Sequence, residues 1–238
     1  MQKLSFFCLF FLSLSNNLFA SDSEKLSFSV VDPENETKVF YTGKEQVTKS
    51  PSLIKKNAEY YDSKGKIVQK EVFSYNPQSL KPLDSLYHNI LTGEKTEMSD
   101  DGDKIKISYT APEQKEPTEK VVSWSPGTIH GKNLHDFAVS NWDKIVSSQK
   151  VKFDLIVPHR FERIAFEIEL SEREKDDPIY TLRVQPENFF IRQFAPKLIA
   201  RYRLVQSKPE IVSFDGPTNL PINGESGKMV RFLFAKDK

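Results

Sequence analysis

The stretch NLHDFAVSNWDKIVSSQKVKFDLIVPHRF, residues 133–161, decides the fold because its hydrophobic period changes partway along. Its first half predicts one amphipathic helix over residues 133–148, and Asn133 with Asp136 resembles a capping box at the start of that helix. The apolar residues that share one stripe of this helix are Leu134, Phe137, Ala138, Trp142, Ile145 and Val146. We expect Trp142 to anchor the helix in a core rather than to contact a ligand.

After Gln149 the period becomes two, which is typical of a strand, and Pro158 ends it. Alternating segments bounded by Gly, Asn, Asp and Pro clusters also fill most of the chain from Leu26 onward. One polar, solvent-exposed face on each strand is typical of an antiparallel sheet with a helix against its other face. The sequence therefore predicts a mainly β protein: a curved antiparallel sheet, a half-barrel or open barrel, with helix 133–148 packed on its apolar face.

Short polar segments predict the connections between these strands. Gly65, Gly93 and Gly102 mark three hairpin turns in the first half, and Asp176-Asp177-Pro178 marks another in the second. ENFFIRQFAP, residues 187–196, predicts a loop with one helical turn. APEQKEPT, residues 111–118, is interpreted as a surface loop rather than a linker, so residues 21–238 are expected to form a single β-rich domain.

The first twenty residues, MQKLSFFCLFFLSLSNNLFA, have the pattern of an export signal. One Lys precedes an apolar run that ends at Leu14, shorter than the roughly 20 residues that a transmembrane helix needs. Cleavage after Ala20 would remove Cys8, the only cysteine, so the mature chain would form no disulfide. The sequence predicts a periplasmic or secreted protein without a transmembrane span in the mature chain.

Composition argues against nucleic acid as a partner. Of the 34 Lys and Arg residues only Lys3 lies in the signal segment, which leaves 33 against 33 Asp and Glu residues. A nucleic-acid-binding chain normally carries a basic excess.

Few residues form a recognisable catalytic or metal-binding pattern. The histidines at positions 88, 130, 135 and 159 lack the spacings that place two imidazoles on one metal ion, so we assign no metal site. No Gly-rich phosphate loop follows a strand and no serine elbow is present, so we assign no cofactor and no catalytic residue.

Two carboxylates keep a hydrolase of a glycan or ester open as an alternative. Glu167 and Glu169 share one strand face about 7 Å apart, a separation at which two carboxylates flank a glycosidic bond. His159 is the third candidate for this activity. The competing interpretation is solvated cross-strand ion pairs with three arginines of neighbouring strands, Arg183, Arg201 and Arg203.

Three turn residues form the candidate ligand-binding spot. Arg160, Asp215 and Asn219 are of types that recognise anions and amides, and their turn positions would bring them to one rim of the sheet. The competing interpretation is local turn chemistry, in which Asp215 and Asn219 bind nearby backbone amides.

Residues 130–234 combine a helix with Trp142, a strand ending in Val157-Pro158 and Arg160, the late turn FDGPTN at residues 214–219 and a closing strand with VRFLF. In this combination they resemble a family of exported, functionally uncharacterised proteins of Gram-negative bacteria. The resemblance implies an exported β-protein and no known activity. Half-barrels that carry lipoproteins across the periplasm are similar at the level of the fold alone.

We therefore expect a non-enzymatic protein of the cell envelope that binds an apolar ligand or an envelope partner through its curved sheet. The periplasmic hydrolase is the alternative from another class. A structural component of an envelope assembly is the third possibility, which a large exposed apolar patch would favour.

Overall fold

The computed structural model describes residues 22–173 and 179–236. Within these ranges fifteen strands form one large, curved, unclosed sheet, which confirms the predicted fold class. The strands are β1 Asp22–Asp32, β2 Asn35–Lys49, β3 Ile54–Tyr61, β4 Ile67–Tyr75, β5 Pro82–Asn89, β6 Lys95–Asp101, β7 Lys104–Thr110, β8 Thr118–Ser123, β9 Thr128–His130, β10 Val151–Val157, β11 Glu162–Arg173, β12 Ile179–Pro186, β13 Leu198–Val205, β14 Lys208–Pro217 and β15 Met229–Lys236.

The sheet order follows the chain in two runs. Strands β1 to β8 each pair with the next, strands β15 to β9 pair in descending order, and β1 joins the two runs by pairing with β15. All pairs are antiparallel except β9 with β10. The segment 111–117 connects the paired strands β7 and β8, so it is a hairpin connection.

The two edges of the sheet, β8 and β9, are consecutive in sequence and approach one another. Val122 of β8 and Ile156 of β10 belong to the same buried cluster, to which Trp124 and Phe161 add partly buried rings. No strand pairing joins β8 to β9 in the described ranges, so side chains, rather than a hydrogen-bonded ladder, fill this seam.

The predicted helix over 133–148 is two shorter helices, α1 Leu134–Ser140 and α2 Trp142–Val146. Asn141 interrupts it because its side-chain Nδ2 donates to the Phe137 carbonyl at 3.0 Å and competes with the backbone. The predicted capping box of Asn133 and Asp136 is wrong. The Asn133 amide instead accepts from the His130 amide at 3.0 Å and donates to the Leu80 carbonyl at 2.7 Å.

Helices α1 and α2 pack on the apolar face of β10 to β13, as expected. Trp142 lies against Tyr180 and Tyr202, each with its ring centroid 5.3 Å away, which confirms its role as a core anchor. Three fully buried side chains of the same cluster, Ala138, Ile145 and Ile168, show that the helices close over the sheet.

The connection between β12 and β13 contains a short helix. Helix α3, Phe189–Phe194, is the expected helical turn between β12 and β13. The predicted turn Asp176-Asp177-Pro178 and the signal segment 1–20 lie outside the described residues. Within the described ranges, none of the helices has the length and apolar character that crossing a bilayer requires.

Candidate ligand-binding cavity

A cavity of about 1100 Å³ lies between the curved sheet and helix α1. Strands of both runs contribute to its wall, together with residues 130–136 and the loop after β14. Its volume slightly exceeds the range of roughly 300–1000 Å³ that is usual for small-molecule sites. The concave face is therefore not filled by its own side chains.

One wall of the cavity is apolar and aromatic. It is formed by inward-facing residues of β1, β13, β14 and β15, namely Leu26, Phe28, Leu198, Ile211, Phe214, Phe232 and Phe234. The ring centroids of Phe28 lie 6.3 Å from Phe232 and 6.1 Å from Phe234, so the rings form one continuous surface. This surface suits an aliphatic chain or a ring of a ligand.

Gly43 makes this aromatic wall possible. A Cβ atom at position 43 would lie 2.1 Å from Cζ of Phe28, well inside van der Waals contact. The Phe28 ring uses the space above this glycine and meets Tyr60 edge to face at 4.9 Å. The absence of a side chain at position 43 of β2 thus leaves room for the Phe28 ring of β1.

The opposite wall is charged. Lys132 forms an ion pair with Glu71, and its Nζ atom lies 3.3 Å from the Tyr60 hydroxyl oxygen. Gln69 Nε2 donates to Glu71 Oε1 at 2.7 Å. Glu71 is buried, and an ionised carboxylate there would be costly without the donors Lys132 and Gln69. The charge of Glu71 therefore depends on its ion pair with Lys132.

A second ion pair fixes helix α1 beside the first. Lys56 Nζ on β3 donates to Asp136 Oδ2 at 2.7 Å and to the Lys132 carbonyl at 3.0 Å. Burial by itself raises the pKa of Asp136, but the Lys56 ammonium outweighs it and holds the pKa below its ordinary value. Asp136 is therefore a carboxylate at neutral pH.

Two histidines line the cavity without adding charge. Burial lowers the pKa of His130 to about 3 and that of His135 to about 4, and in His130 the neighbouring Lys132 acts in the same direction. Both residues are partly buried and line the cavity. His135 stacks on Tyr202, and His130 lies against Phe73. Both are neutral at pH 7.

The structure does not bring the three predicted binding residues together. Asn219 lines the cavity, and its backbone carbonyl accepts from Asn89 Nδ2 at 2.9 Å. Arg160 is exposed and pairs with Glu162 at 3.1 Å, beyond the end of β10. Asp215 faces the outer side of β14, because its neighbour Phe214 faces the cavity.

Asp215 is held by two arginines on that outer face. Arg231 donates Nε to Oδ1 at 2.7 Å and Nη2 to Oδ2 at 2.9 Å, a bidentate contact, while Arg201 Nη1 lies 3.0 Å from Oδ2. Burial raises the pKa of Asp215, and the two guanidinium groups outweigh it to lower the pKa overall. These contacts join β13, β14 and β15 and use both carboxylate oxygens.

The residues of the hydrolase alternative also lie apart. Glu167 and Glu169 face away from helices α1 and α2, since Phe166 and Ile168 face toward them, whereas His159 lines the cavity. Glu167 accepts from Lys150, Gln185 and Arg192 at 3.0, 2.9 and 3.1 Å. Its side chain is 6% exposed, so the predicted solvated character is wrong for it.

The cross-strand ion pairs are partly as predicted. Glu169 and Arg183 face one another in the register of β11 and β12, with 3.9 Å between the charged atoms. Arg201 instead pairs with Asp215.

The charged wall is not among the sites that the sequence predicts. Lys56 and Glu71 occupy strand positions with apolar neighbours at a spacing of two, Ala58 and Phe73, and Gln69 has the same parity as Glu71. A polar residue on the inward side of an alternating strand is the signal that marks them. Lys132 carries no such signal, because it lies in a helical turn.

No group of three His, Cys, Asp or Glu side chains with metal-binding geometry occurs in the part of the chain that the structure describes. Comparison of the chain with protein-family models, with curated proteins and with solved structures gives no match. The resemblance to exported Gram-negative proteins thus stays a prediction, and the cavity itself is the basis for a functional proposal.

Proposed function

We propose that this protein is a non-enzymatic, exported β-protein of the bacterial envelope that binds an apolar or amphipathic small molecule within its curved sheet. The observation that carries the proposal is the cavity of about 1100 Å³, in which an aromatic wall faces a charged one. Such a combination provides area for burial and a few polar groups for orientation. Export is proposed from the pattern of residues 1–20.

Native mass spectrometry of the protein purified from the periplasm tests this function. We expect a complex heavier than the mature chain by the mass of one small molecule, which organic solvent then extracts for identification. The periplasmic fraction tests the export proposal in the same preparation. A mature chain that carries no additional mass, and that stays empty after incubation with a total lipid extract, would contradict the proposal.

A second candidate function is docking in an envelope assembly, and helix α3 favours it. Four of its six residues are large, apolar and exposed: Phe189, Phe190, Ile191 and Phe194, at 62%, 74%, 44% and 88%. Arg192 ties this helix to the sheet through Glu167, so the apolar side chains are presented on a fixed element. Apolar groups exposed in this way mark protein or membrane contacts.

Cross-linking in intact cells tests the docking role. We expect the native chain to give a cross-linked species that the double variant Phe190→Ser/Phe194→Ser loses. The matched control is Val121→Ser on β8, which removes an exposed apolar residue elsewhere. Identical patterns for all three proteins would contradict a docking role of α3.

A further inference from the structure

We propose that the cavity selects amphiphiles whose polar group is uncharged and carries several hydroxyl groups, as a sugar or polyol head does. This inference rests on the proposed function and names the class of ligand. It follows from two buried hydroxyl groups without a protein partner, from an unused imidazole N–H group beside them and from the balance of charge in the cavity.

Ser85 on β5 and Thr96 on β6 carry the two hydroxyl groups. Both residues line the cavity and are more than nine-tenths buried, at 7% and 8% exposure. Neither hydroxyl makes a hydrogen bond within residues 22–173 and 179–236. In those ranges, polar side-chain atoms that lack a partner and are also fully enclosed occur at Gln69 and Tyr75. The hydroxyl groups of Ser85 and Thr96 therefore keep access to the cavity.

The other buried serines and threonines show that this lack of partners is local. Four of them in the described part of the chain have hydrogen-bond partners: Ser74, Thr128, Ser213 and Thr218. Ser74 Oγ, for example, donates to the Asp84 carbonyl at 3.2 Å, as most side-chain hydrogen bonds use the backbone. A buried polar group without a partner costs free energy that a ligand can recover. Ser85 and Thr96 thus offer hydrogen bonds to a ligand in the cavity.

The strand register sets the spacing of the two hydroxyl groups. Thr96 is opposite Tyr87, and Ser85 precedes Tyr87 by two residues on the same strand. Such diagonal neighbours lie about 7–8 Å apart. At hydrogen-bond lengths of about 2.7–2.8 Å, one ligand hydroxyl does not bridge this span. A ring with hydroxyl groups on several sides does.

His130 adds a donor near Ser85. Its Nδ1 atom accepts from the Lys132 amide at 3.3 Å, which places the proton of the neutral ring on Nε2. The His130 ring lies 4.9 Å from the Phe73 ring, and Phe73 is directly opposite Ser85 in the register of β4 and β5. His130 lines the cavity, and its Nε2 has no acceptor among the residues that the structure describes. A ligand oxygen can accept from it.

The cavity as a whole carries little net charge. Five Lys or Arg residues and six Asp or Glu residues line it. Most of them are matched across strands: Lys132 with Glu71, Lys56 with Asp136, Lys49 with Glu24 and, by register, Arg203 opposite Glu210. Burial lowers the pKa of Lys132, but Glu71 and its neighbours, Glu45 among them, outweigh burial and raise the pKa. An ionic head group therefore gains little from the lining, and breaking a buried pair would be costly.

The surroundings of the two hydroxyl groups disfavour an anionic head in particular. Glu94, two residues before Thr96, accepts from the hydroxyl groups of Tyr87 and Tyr109, each at 3.2 Å. Glu71 is opposite Tyr87 on the other side. A carboxylate between these residues would face like charges. A ligand hydroxyl can instead donate to Glu94, because a carboxylate has about four lone-pair sites.

The aromatic wall provides for the apolar part of the same ligand. Phe28 and Phe234 belong to β1 and β15, and β1 is four strands from β5, about 19 Å along the curved sheet. An alkyl chain on this wall and a ring head at Ser85 and Thr96 thus occupy different parts of one cavity.

Displacement of the fluorescent dye N-phenyl-1-naphthylamine at pH 7 tests the selection. The competitors are decyl glucoside, decanol, decanoate and decylammonium, which share one chain and are kept below their micellar concentrations, and glucose, which has no chain. We expect decyl glucoside to bind at least about tenfold more tightly than decanol, since each hydrogen bond is worth about fivefold. Decanoate and decylammonium should bind more weakly than decyl glucoside, and glucose should not displace the dye.

The variants Ser85→Ala and Thr96→Val should each reduce the preference for decyl glucoside about fivefold, while the affinity for decanol stays and reports an intact cavity. The control Ser74→Ala removes a buried hydroxyl that is bonded within the sheet, and it should bind as the native chain does. Equal affinity of the native chain for decyl glucoside and decanol, or tighter binding of either ion than of decyl glucoside, would overturn the selection and leave the proposed function standing. Failure of all of them to bind, together with the dye, would overturn both.

Discussion

Lys56 and Asp136, eighty residues apart in sequence, form an ion pair of 2.7 Å that ties strand β3 to helix α1. The helix packs its apolar side on the second run of strands, while this pair attaches its polar side to the first run. The helix therefore spans the concave face and roofs the cavity. The same ion pair fixes the position of helix α1 relative to β3.

Removing the Lys56 ammonium should destabilise the protein. The variant Lys56→Met leaves the Asp136 carboxylate with little solvent and no cation, which should lower the free energy of unfolding by about 3 kcal/mol. Urea denaturation measures this change. The control is Lys70→Met, whose exposed pair with Glu59 should contribute less than about 1 kcal/mol. Equal losses of stability in the two variants would show that the ion pair of Lys56 with Asp136 does not hold helix α1 to β3.

The Asp215 cluster predicts a structural rather than a binding role. We expect Asp215→Asn to lower the free energy of unfolding by about 2–4 kcal/mol, because it leaves two arginines without their shared carboxylate. Arg160→Gln, which breaks an exposed pair, should change it by less than about 0.5 kcal/mol. Neither should alter ligand affinity. A large loss of affinity in Asp215→Asn with unchanged stability would restore it as a binding residue.

Gly43 and Phe28 should be energetically coupled. Gly43→Ala forces the Phe28 ring aside and should cost about 1–3 kcal/mol, as overpacking of a core does. In the background Phe28→Leu the same glycine substitution should cost clearly less, because the shorter side chain leaves room for the methyl group. Thermal denaturation of the four proteins measures the coupling. Additive effects would contradict the close packing of ring and backbone.

The neutral histidines predict acid sensitivity. The pKa of His135 falls from 6.5 to about 4 on folding, so the unfolded chain takes up the proton first as pH drops. The free energy of unfolding should therefore decrease from about pH 6.5 to pH 4 and be fully regained above that window. His135→Phe keeps a ring against Tyr202 and should make the profile less steep, while the contribution of His130 remains. Parallel profiles for the native chain and the variant would refute this assignment.

The sequence predicts those parts of the fold that depend on local pattern. The change of period after Gln149, the strands on either side and the helical turn in residues 187–196 all follow from spacing. The break at Asn141 does not, because an amide in mid-helix becomes a break only where it bonds the Phe137 carbonyl.

The site is predictable only in part, for a physical reason. The alternation rule assigns inward positions to apolar residues, yet Lys56 and Glu71 occupy such positions and obtain their partners from residues 132–136. The spacing of these residues in the sequence does not indicate that Lys56 contacts Asp136 or that Glu71 contacts Lys132. The sequence predicts Asp215 at a rim, and it does not reveal the partner Arg231, which becomes a neighbour only through the register of β14 with β15.

The central claim is that the ligand binds within the curved sheet. It is tested most directly by titrating the fluorescent dye N-phenyl-1-naphthylamine into two variants, substituted at adjacent positions of β15. Phe234 faces the cavity and Leu233 faces outward, and both are partly buried. We predict that Phe234→Asn weakens dye binding at least about fivefold, through the loss of apolar contact, while Leu233→Asn binds as the native chain does. Equal affinities of the two variants would contradict binding within the curved sheet.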